Sequence, residues 1–402
     1  MIKAILGEDL MEKYRVCTKT VMDTIADPGI RFDDAGVCNY YHLYKARVDR
    51  FFIGGEKGQL ALEALFSRIR EEGKGKKYDC ITGISGGVDS TYMVYLCKKY
   101  NLRPLLVHLD NGWNSEIANQ NINNIIDHCG YDLHTHVIDW EEFRDLQLSF
   151  LKASVIDLEL TSDHAIFSVI YDLAKKYKIN YLLNGFNITT EGILPEAWRW
   201  YKYDWLNIKS IHKKFGTVKL KTFPRVSFSK KVYFDVVKRV QSIQPLNYID
   251  YNKDEAKAII SKELGWRDYG GKHFESIITR FYQGYILPEK FGVDKRKAHL
   301  SSLIASEQMT REEALKELEK PIYDERMLNE DKAFVLKKFG LTAATFDEIM
   351  ALPIQQHTDF ESYITKHYRY HENIMRSLSP LTRLAKRTLG IRRDSKSKAY
   401  HA

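Results

Sequence analysis

Cys80-Ile81-Thr82-Gly83-Ile84-Ser85-Gly86-Gly87-Val88-Asp89-Ser90 is an apolar run that breaks into a glycine pair framed by hydroxyls and one carboxylate. The run reads as a buried strand, and Ser90–Tyr100 after it reads as a helix. Glycines at such a strand-to-helix turn let the backbone approach an anion closely, with N–H groups of the turn and of the helix start aimed at it. Ser85 and Ser90 add hydroxyl donors, and Asp89 suits a Mg²⁺ ion that bridges phosphates. No G-x-x-x-x-G-K-[ST] exists in the chain and no G-x-G-x-x-G follows a strand, which sets aside γ-phosphoryl transfer and nicotinamide chemistry.

Working outward, Pro104–Leu109, Leu133–Ile138 and Ile179–Leu183 read as further strands. The segments Ser115–Cys129, Glu141–Lys152 and Asp163–Tyr177 read as helices between them. Strands alternating with helices of this length predict an α/β fold, a parallel sheet with helices on both faces, and a ligand beyond the C-terminal strand ends. Before this region, residues 1–75 form a small N-terminal module, and residues 76–194 form the nucleotide-binding domain. Residues 195–379 read as a helical substrate-binding or interaction region, with helices starting at Asn252 and Thr310, each a capping residue with Glu three places on. Residues 380–402 read as a basic mobile tail.

The 402 residues suit two or three domains, and 44% hydrophobic with 28% charged residues is the balance of a folded protein. The early charges in MIKAILGEDLMEKYR and the lack of a run of about 20 apolar residues predict a cytoplasmic location. Five cysteines confined to the first third are not a disulfide framework. The net charge of +8 is concentrated in the tail and in residues 195–239, where twelve Lys/Arg face three acidic residues. The remainder is slightly acidic, so no nucleic-acid partner is expected. Within the basic segment, Trp198, Trp200, Tyr201, Tyr203 and Trp205 are spaced to make an aromatic surface for a sugar or base, with Arg199 and Lys202 meeting its anionic group. The same residues also suit a dimer contact or a lid over the core.

The S-G-G-x-D-S loop resembles the pyrophosphate loop of the ATP-pyrophosphatase superfamily, which includes GMP synthetase, NAD synthetase, asparagine synthetase and tRNA-thiolating enzymes. Further segments narrow the resemblance to the N-acetyl sugar amidotransferases of surface-polysaccharide biosynthesis. They are Val21-Met22-Asp23-Thr24, Phe32-Asp33, Gly36-Val37-Cys38-Asn39, Thr161-Ser162-Asp163-His164-Ala165, Asn184 through Glu191, Gln244 through Tyr251, and Lys272 through Arg296. The match runs from about residue 15 to 325. It implies an adenine-nucleotide α-hydrolase-like fold, ATP and Mg²⁺ as cofactors, and conversion of an acetamido group on a bacterial sugar to an acetamidino group. The route it implies is an adenylated imidate, attack by ammonia, and release of AMP and pyrophosphate in O-antigen or other lipopolysaccharide biosynthesis. The sugar would be a nucleotide-linked 2,3-diacetamido mannuronic acid or a nonulosonic acid.

The resemblance also assigns candidate roles. Lys290, Lys295 and Arg296 would grip the α-phosphate and pyrophosphate. Asp110 lies where relatives hold adenosine, Asn184 and Gly185 fall beside the same cleft, and Gly185 would admit the nucleotide closely. Asp163, His164 and Glu191 would orient the amide or accept a proton from ammonia, although Asp163 equally suits a helix N-cap and His164 a structural histidine. Lys272, His273, Glu275 and Arg280 stand in the best-matching block as substrate-binding residues or surface ion pairs. Two departures matter. Relatives carry C-x-x-C pairs in the front module, whereas Cys17-Thr18-Lys19-Thr20 and Cys38-Asn39-Tyr40-Tyr41 keep one thiol each, so a degenerate zinc-ribbon-like module with no tightly held zinc is expected, even with His42 near. Residue 2 is Ile and no glutaminase triad is recognisable, so ammonia is expected from a separate glutaminase and a channel subunit similar to imidazole-glycerol-phosphate synthase. A homodimer is the default assembly. The competing readings are a tRNA thiolase sharing the loop, which would need a thiol that nothing after Cys129 supplies, and a non-catalytic assembly protein.

Overall fold

The computed structural model describes residues 14–271 and 274–366. A front segment of short bridges, Val16 with Asp23 and Phe32 with Cys38, leads into helices α1 (Asn39–Phe51) and α2 (Gly55–Glu72). The alternation expected from the sequence follows: β1 (Cys80–Gly83), α3 (Val88–Lys99), β2 (Pro104–Asp110), α4 (Glu116–Cys129), β3 (Leu133–Val137), α5 (Trp140–Ala153), α6 (Leu160–Lys176), β4 (Tyr181–Leu183) and the single turn α7 (Ile188–Glu191). Local chemistry sets the ends. Ser115 and Asp139 cap α4 and α5 by accepting the Ala118 and Glu142 N–H groups, and Gly130 closes α4 in the left-handed region.

Past residue 195 come α8 (Trp205–Phe215) and α9 (Phe228–Val232), which runs on as a wide turn to Lys238. The fifth strand, β5 (Gln241–Ile243), then joins the sheet. Sequence reading had ended the strand alternation near 195; β5 escaped because it is three residues long and carries no apolar alternation. Next are α10 (Lys253–Leu264), α11 (Ile277–Phe281), α12 (Leu287–Phe291), α13 (Arg296–Ala305), α14 (Arg311–Glu319), α15 (Glu325–Phe339), α16 (Ala343–Ala351) and the turn α17 (Tyr363–Lys366). Helices α10 and α14 start where the capping residues Asn252 and Thr310 place them, the latter with a complete capping box.

All strands are parallel in the order β3-β2-β1-β4-β5. Side chains alternate across the sheet with period two. Cys80, Leu106 and Leu183 face a core with Leu62, Phe66, Met93 and Ile260 from α2, α3 and α10. Ile81, Leu105, Val107 and Leu182 face a second core with Val169, Leu173 and Phe234. The chain moves outward from β1 to β3 and then restarts on the other side of β1 at β4, so the crevice of reversed strand order opens beyond the ends of β1 and β4.

The front segment does not stand alone. Cys17, Met22, Ile30 and Val37 share a core with Trp198, Phe281 and Ala298. Lys297 pairs with Asp23, and the Arg311 guanidinium donates to the Thr20 carbonyl. Cys17 and Cys38 are fully buried, and the Cys17 thiol is lowered to about 5 because the Cys38 thiol donates to it. His42 binds Asp33 at 2.8 Å instead of joining them. Among the described residues no cluster of three metal-ligating side chains occurs, and no helix is long and apolar enough to cross a membrane.

Candidate active site

Gly86 has φ +78°, and a β-carbon there would lie 2.6 Å from the Ala118 carbonyl oxygen, so the turn after β1 requires glycine. Its own carbonyl accepts the Trp266 indole N–H at 2.8 Å, which ties the loop to the segment after α10. Gly87 opens α3 without a side-chain cap, while its N–H meets Ser85 Oγ at 3.2 Å and the Val88 N–H meets the Tyr269 hydroxyl at 3.3 Å. Ser85 and Ser90 hydroxyls stand 3.2 Å apart across the turn. Exchangeable hydroxyls thus occupy a helix N-terminus whose dipole favours negative charge, the arrangement of a phosphate cradle. Ser85, Gly86 and Gly87 form this turn, and Asp89 and Ser90 follow on the first turn of α3.

Two cavities flank this loop and share Ser85, Ser90 and Glu275. The first, about 450 Å³, lies over the ends of β1 and β2 and is walled by His108, Asn111, Asp163, Glu159 and Lys295. The second, about 430 Å³, lies toward β4 and β5 and holds Asp89, Asn184, Gly185 and Glu191 beside Phe167, Tyr171 and Tyr203. In the second cavity Asp89 accepts the Tyr251 hydroxyl at 2.6 Å and the Asn187 amide at 3.4 Å. Burial, then the charges of Asp89 and Glu191, hold the Tyr251 phenol far above its ordinary range, so it stays a donor. Two carboxylates with water-accessible space suit Mg²⁺, which binds through one or two carboxylates and keeps several waters.

On the wall of the first cavity, Lys202 reaches Asp157 at 2.7 Å and Asp163 at 2.9 Å, and Lys295 reaches Glu159 at 3.0 Å. Three carboxylates against two ammonium groups leave one excess negative charge. The Asp163 carboxyl is raised, first by desolvation among the groups around it and then by Glu159 and Asp157, with Lys202 opposing, while its side chain stays 42% exposed toward the cavity. A carboxyl raised in this way, facing the cavity, is placed to take up a proton. His108 is fixed in one neutral tautomer: Asn114 Nδ2 donates to Nε2 at 2.8 Å, so Nδ1–H donates to the Ile84 carbonyl at 3.1 Å. Its pKa is lowered by burial.

Several predicted residues do other work. His164 is fully buried; Val226 N–H donates to its Nε2 at 3.0 Å, its Nδ1 donates to the Lys202 carbonyl at 2.9 Å, and its ring clusters with those of Trp205 and Phe223, which also touch each other. Burial lowers it to about 4, so it is a neutral brace behind Lys202 and not a proton carrier. Lys290 donates to the carbonyls of Ile349, Met350 and Leu352 and so caps the C-terminus of α16. Arg296 is held by Asp294 and by the Lys320 carbonyl at the end of α14. Of the three cations expected on phosphate, only Lys295 lines either of these two cavities: Gly292 turns the chain at φ +66° after Lys290, and Arg296 is held by Asp294.

Arg280 binds Asp331 through two nitrogens at 2.6 and 2.8 Å, joining α11 to α15. Asp110 spends a carboxylate oxygen on the Gly112 N–H, leaving His108 and Asn111 as the cavity wall. Gly185 admits protein: a β-carbon there would lie 2.8 Å from the Asp89 backbone, so the β4 loop packs onto the start of α3. Of the aromatic residues 198–205, Trp198 is buried and the others are half-buried. Trp198 donates to the Ala26 carbonyl, Trp200 stacks on His357 at 4.9 Å, and only Tyr203 lines a cavity. Arg199 lines neither cavity and is half-buried, its pKa lowered by burial. Lys272 and His273 lie outside the described residues.

Sequence reasoning missed Asp157, Glu159, Tyr251 and Tyr269. Tyr251 closes one of the matching segments, a signal that went unused; the others have no local mark, since their partners are 45 to 181 positions away.

The parallel sheet, its reversal at β1 and the glycine turn after β1 place the chain in the α/β class, with a candidate phosphate cradle at the switch point. Residues 275–375 match the family described as LPS biosynthesis protein WbpG-like, C-terminal domain, a region that begins at Glu275, one of the three residues shared by both cavities. An uncharacterized protein of Methanocaldococcus jannaschii is 24% identical over 283 residues, 67% of this chain and 84% of that one. Among solved structures, NH3-dependent NAD synthetase from Campylobacter jejuni is 15% identical with a TM-score of 0.32, covering 71% of this chain and 97% of the other. NMN synthetase from Francisella tularensis is also 15% identical, with a TM-score of 0.27, covering 54% and 90%.

Proposed function

We propose that this protein is an ATP-dependent amidotransferase of lipopolysaccharide biosynthesis that converts an acetamido group of a bacterial sugar into an acetamidino group. The observation that carries the proposal is the phosphate cradle set between two cavities, joined by Glu275 at the head of the WbpG-like region. The amide oxygen attacks the α-phosphorus of ATP and pyrophosphate departs into the cradle of Ser85, Gly86, Gly87 and Ser90. Ammonia then adds to the activated carbon and the former amide oxygen leaves with AMP, so amide, ATP and ammonia become amidine, AMP and pyrophosphate. Asp163 accepts the proton that ammonia sheds, and Lys202 and Lys295 offset the charge that accumulates beside it. Bound Mg²⁺, held by Asp89 and Glu191, would neutralise the departing diphosphate.

Ammonia would come from a separate glutaminase through a channel subunit. Neither cavity is lined by a cysteine, which disfavours a thiolase. The test is pyrophosphate release from ATP with ammonium and candidate acetamido sugar nucleotides. Release that depends on ammonium and on the sugar supports the proposal. Release only with tRNA replaces it, and activity of the isolated chain with glutamine alone would refute the separate ammonia supply.

A further inference from the structure

A third cavity, about 200 Å³, lies at the opposite pole of the sheet, where β4 and β5 begin. Its rim carries four lysines: Lys76 before β1, Lys175 and Lys178 at the end of α6, and Lys238 at the end of the turn that follows α9. Its floor is apolar, formed by Ile179, Phe234 and Val240. Among the described residues, none of the four ammonium groups is paired with a carboxylate. The nearby acids are engaged otherwise: Asp235 with Lys231, Asp172 with Lys230 and Glu72 with the Tyr181 hydroxyl. Lys175 has only the Tyr233 ring beneath it, at 5.5 Å.

Helix dipoles do not account for so much charge. The C-termini of α6 and of the α9 turn bring about half a negative charge each, which leaves about three positive charges in excess over four ammonium groups. The backbone adds a second mark. Lys178 and the neighbouring Arg239 both adopt the left-handed region, at φ +56° and +53°, positions where helices normally end in glycine. Non-glycine residues are held there against steric strain; Lys178 lines the cavity, and Arg239 lies between the lining residues Lys238 and Val240.

We propose that this cavity is a second anion site that binds a phosphate or diphosphate group, remote from the phosphate loop and independent of the activity proposed above. Four donors around a space of this size match a multiply charged tetrahedral anion, and the apolar floor tolerates a bridging or ester group. The group could be free in solution or the headgroup of an acidic lipid, since exposed Val237 (66% exposed) adjoins the rim.

Lysine acetylation footprinting of the full chain reads each amine separately, and the phosphate loop contains no lysine. Inorganic pyrophosphate, or vesicles containing phosphatidic acid, should slow labelling of Lys76, Lys175, Lys178 and Lys238 at least about fivefold, while the exposed Lys209 and Lys213 keep their rates. Protection by pyrophosphate identifies a soluble ligand, and protection by vesicles alone identifies a headgroup. Lys178→Glu, and separately the milder Lys238→Gln, should abolish protection at the remaining lysines in a chain with unchanged circular dichroism. Unchanged labelling with both probes, or equal protection of Lys209 and Lys213, would overturn the proposal.

Discussion

Acidification tests whether His164 is the neutral brace that the structure makes it. The unfolded chain takes up this proton below its ordinary value of 6.5, whereas the folded chain does so only below about 4. A depressed folded-state pKa on a base means that the unfolded state holds more protons between these values, so stability falls as pH drops from 6.5 and levels off below about 4. The full difference, about 2.5 units at 1.36 kcal/mol each, is about 3 kcal/mol, of which about 2 kcal/mol is lost by pH 5. His357, also lowered to about 4 by burial, contributes a similar slope, so the wild-type curve alone does not isolate His164. The comparison is with His164→Gln, which keeps a donor and an acceptor but cannot titrate. Denaturant unfolding of both proteins between pH 4 and 7 should show the variant less stable at pH 7, by about 1–3 kcal/mol for its imperfect hydrogen bonds. On acidification the difference should shift by about 3 kcal/mol in the variant's favour, closing or reversing the gap. Parallel curves would refute a buried neutral His164. Loss of turnover in a folded variant at pH 8 would restore it to the chemistry.

Asp89→Asn should keep the fold and lower the rate of pyrophosphate release by at least about a hundredfold, as expected when a group that stabilises developing phosphate charge is removed. Raised Asp163 places the acid limb of kcat/KM above the usual carboxylate range, and activity should rise with pH through it; Asp163→Asn should erase that limb and cost about 10²–10⁴ in kcat. Lys290→Met should lower stability by about 1–2 kcal/mol by uncapping α16 while leaving KM for ATP unchanged; a raised KM would return it to the phosphate site. Arg280→Met removes the ion-pair partner of Asp331 and leaves it only the Tyr323 hydroxyl among the described residues, so it should destabilise by about 3 kcal/mol in thermal or denaturant unfolding. Metal analysis of the purified chain should find less than one zinc per chain, and a full equivalent would contradict the two-thiol reading of Cys17 and Cys38.

The phosphate loop and most of the sheet were legible in the chain because their causes are local. A glycine at φ +78°, a continuous apolar run of strand length and the capping residues Asn252 and Thr310 act within a few positions. The cations were not legible in the same way. Lys290, Lys295 and Arg296 share one short, family-like segment, and nothing local distinguishes the lysine that reaches the cavity from the two cations that cap α16 and α14. The basic, aromatic segment 195–239 reads in the sequence as a site for an anionic sugar, yet Lys202, Lys230 and Lys231 are each consumed by an aspartate brought from elsewhere in the chain or from the next helical turn. Sequence alone determined an α/β chain with a phosphate cradle at Ser85–Ser90, since steric and backbone constraints act over short distances. Tertiary structure decided which charged groups face the two cavities, because an ion pair depends on where distant segments converge and that depends on packing of the whole chain.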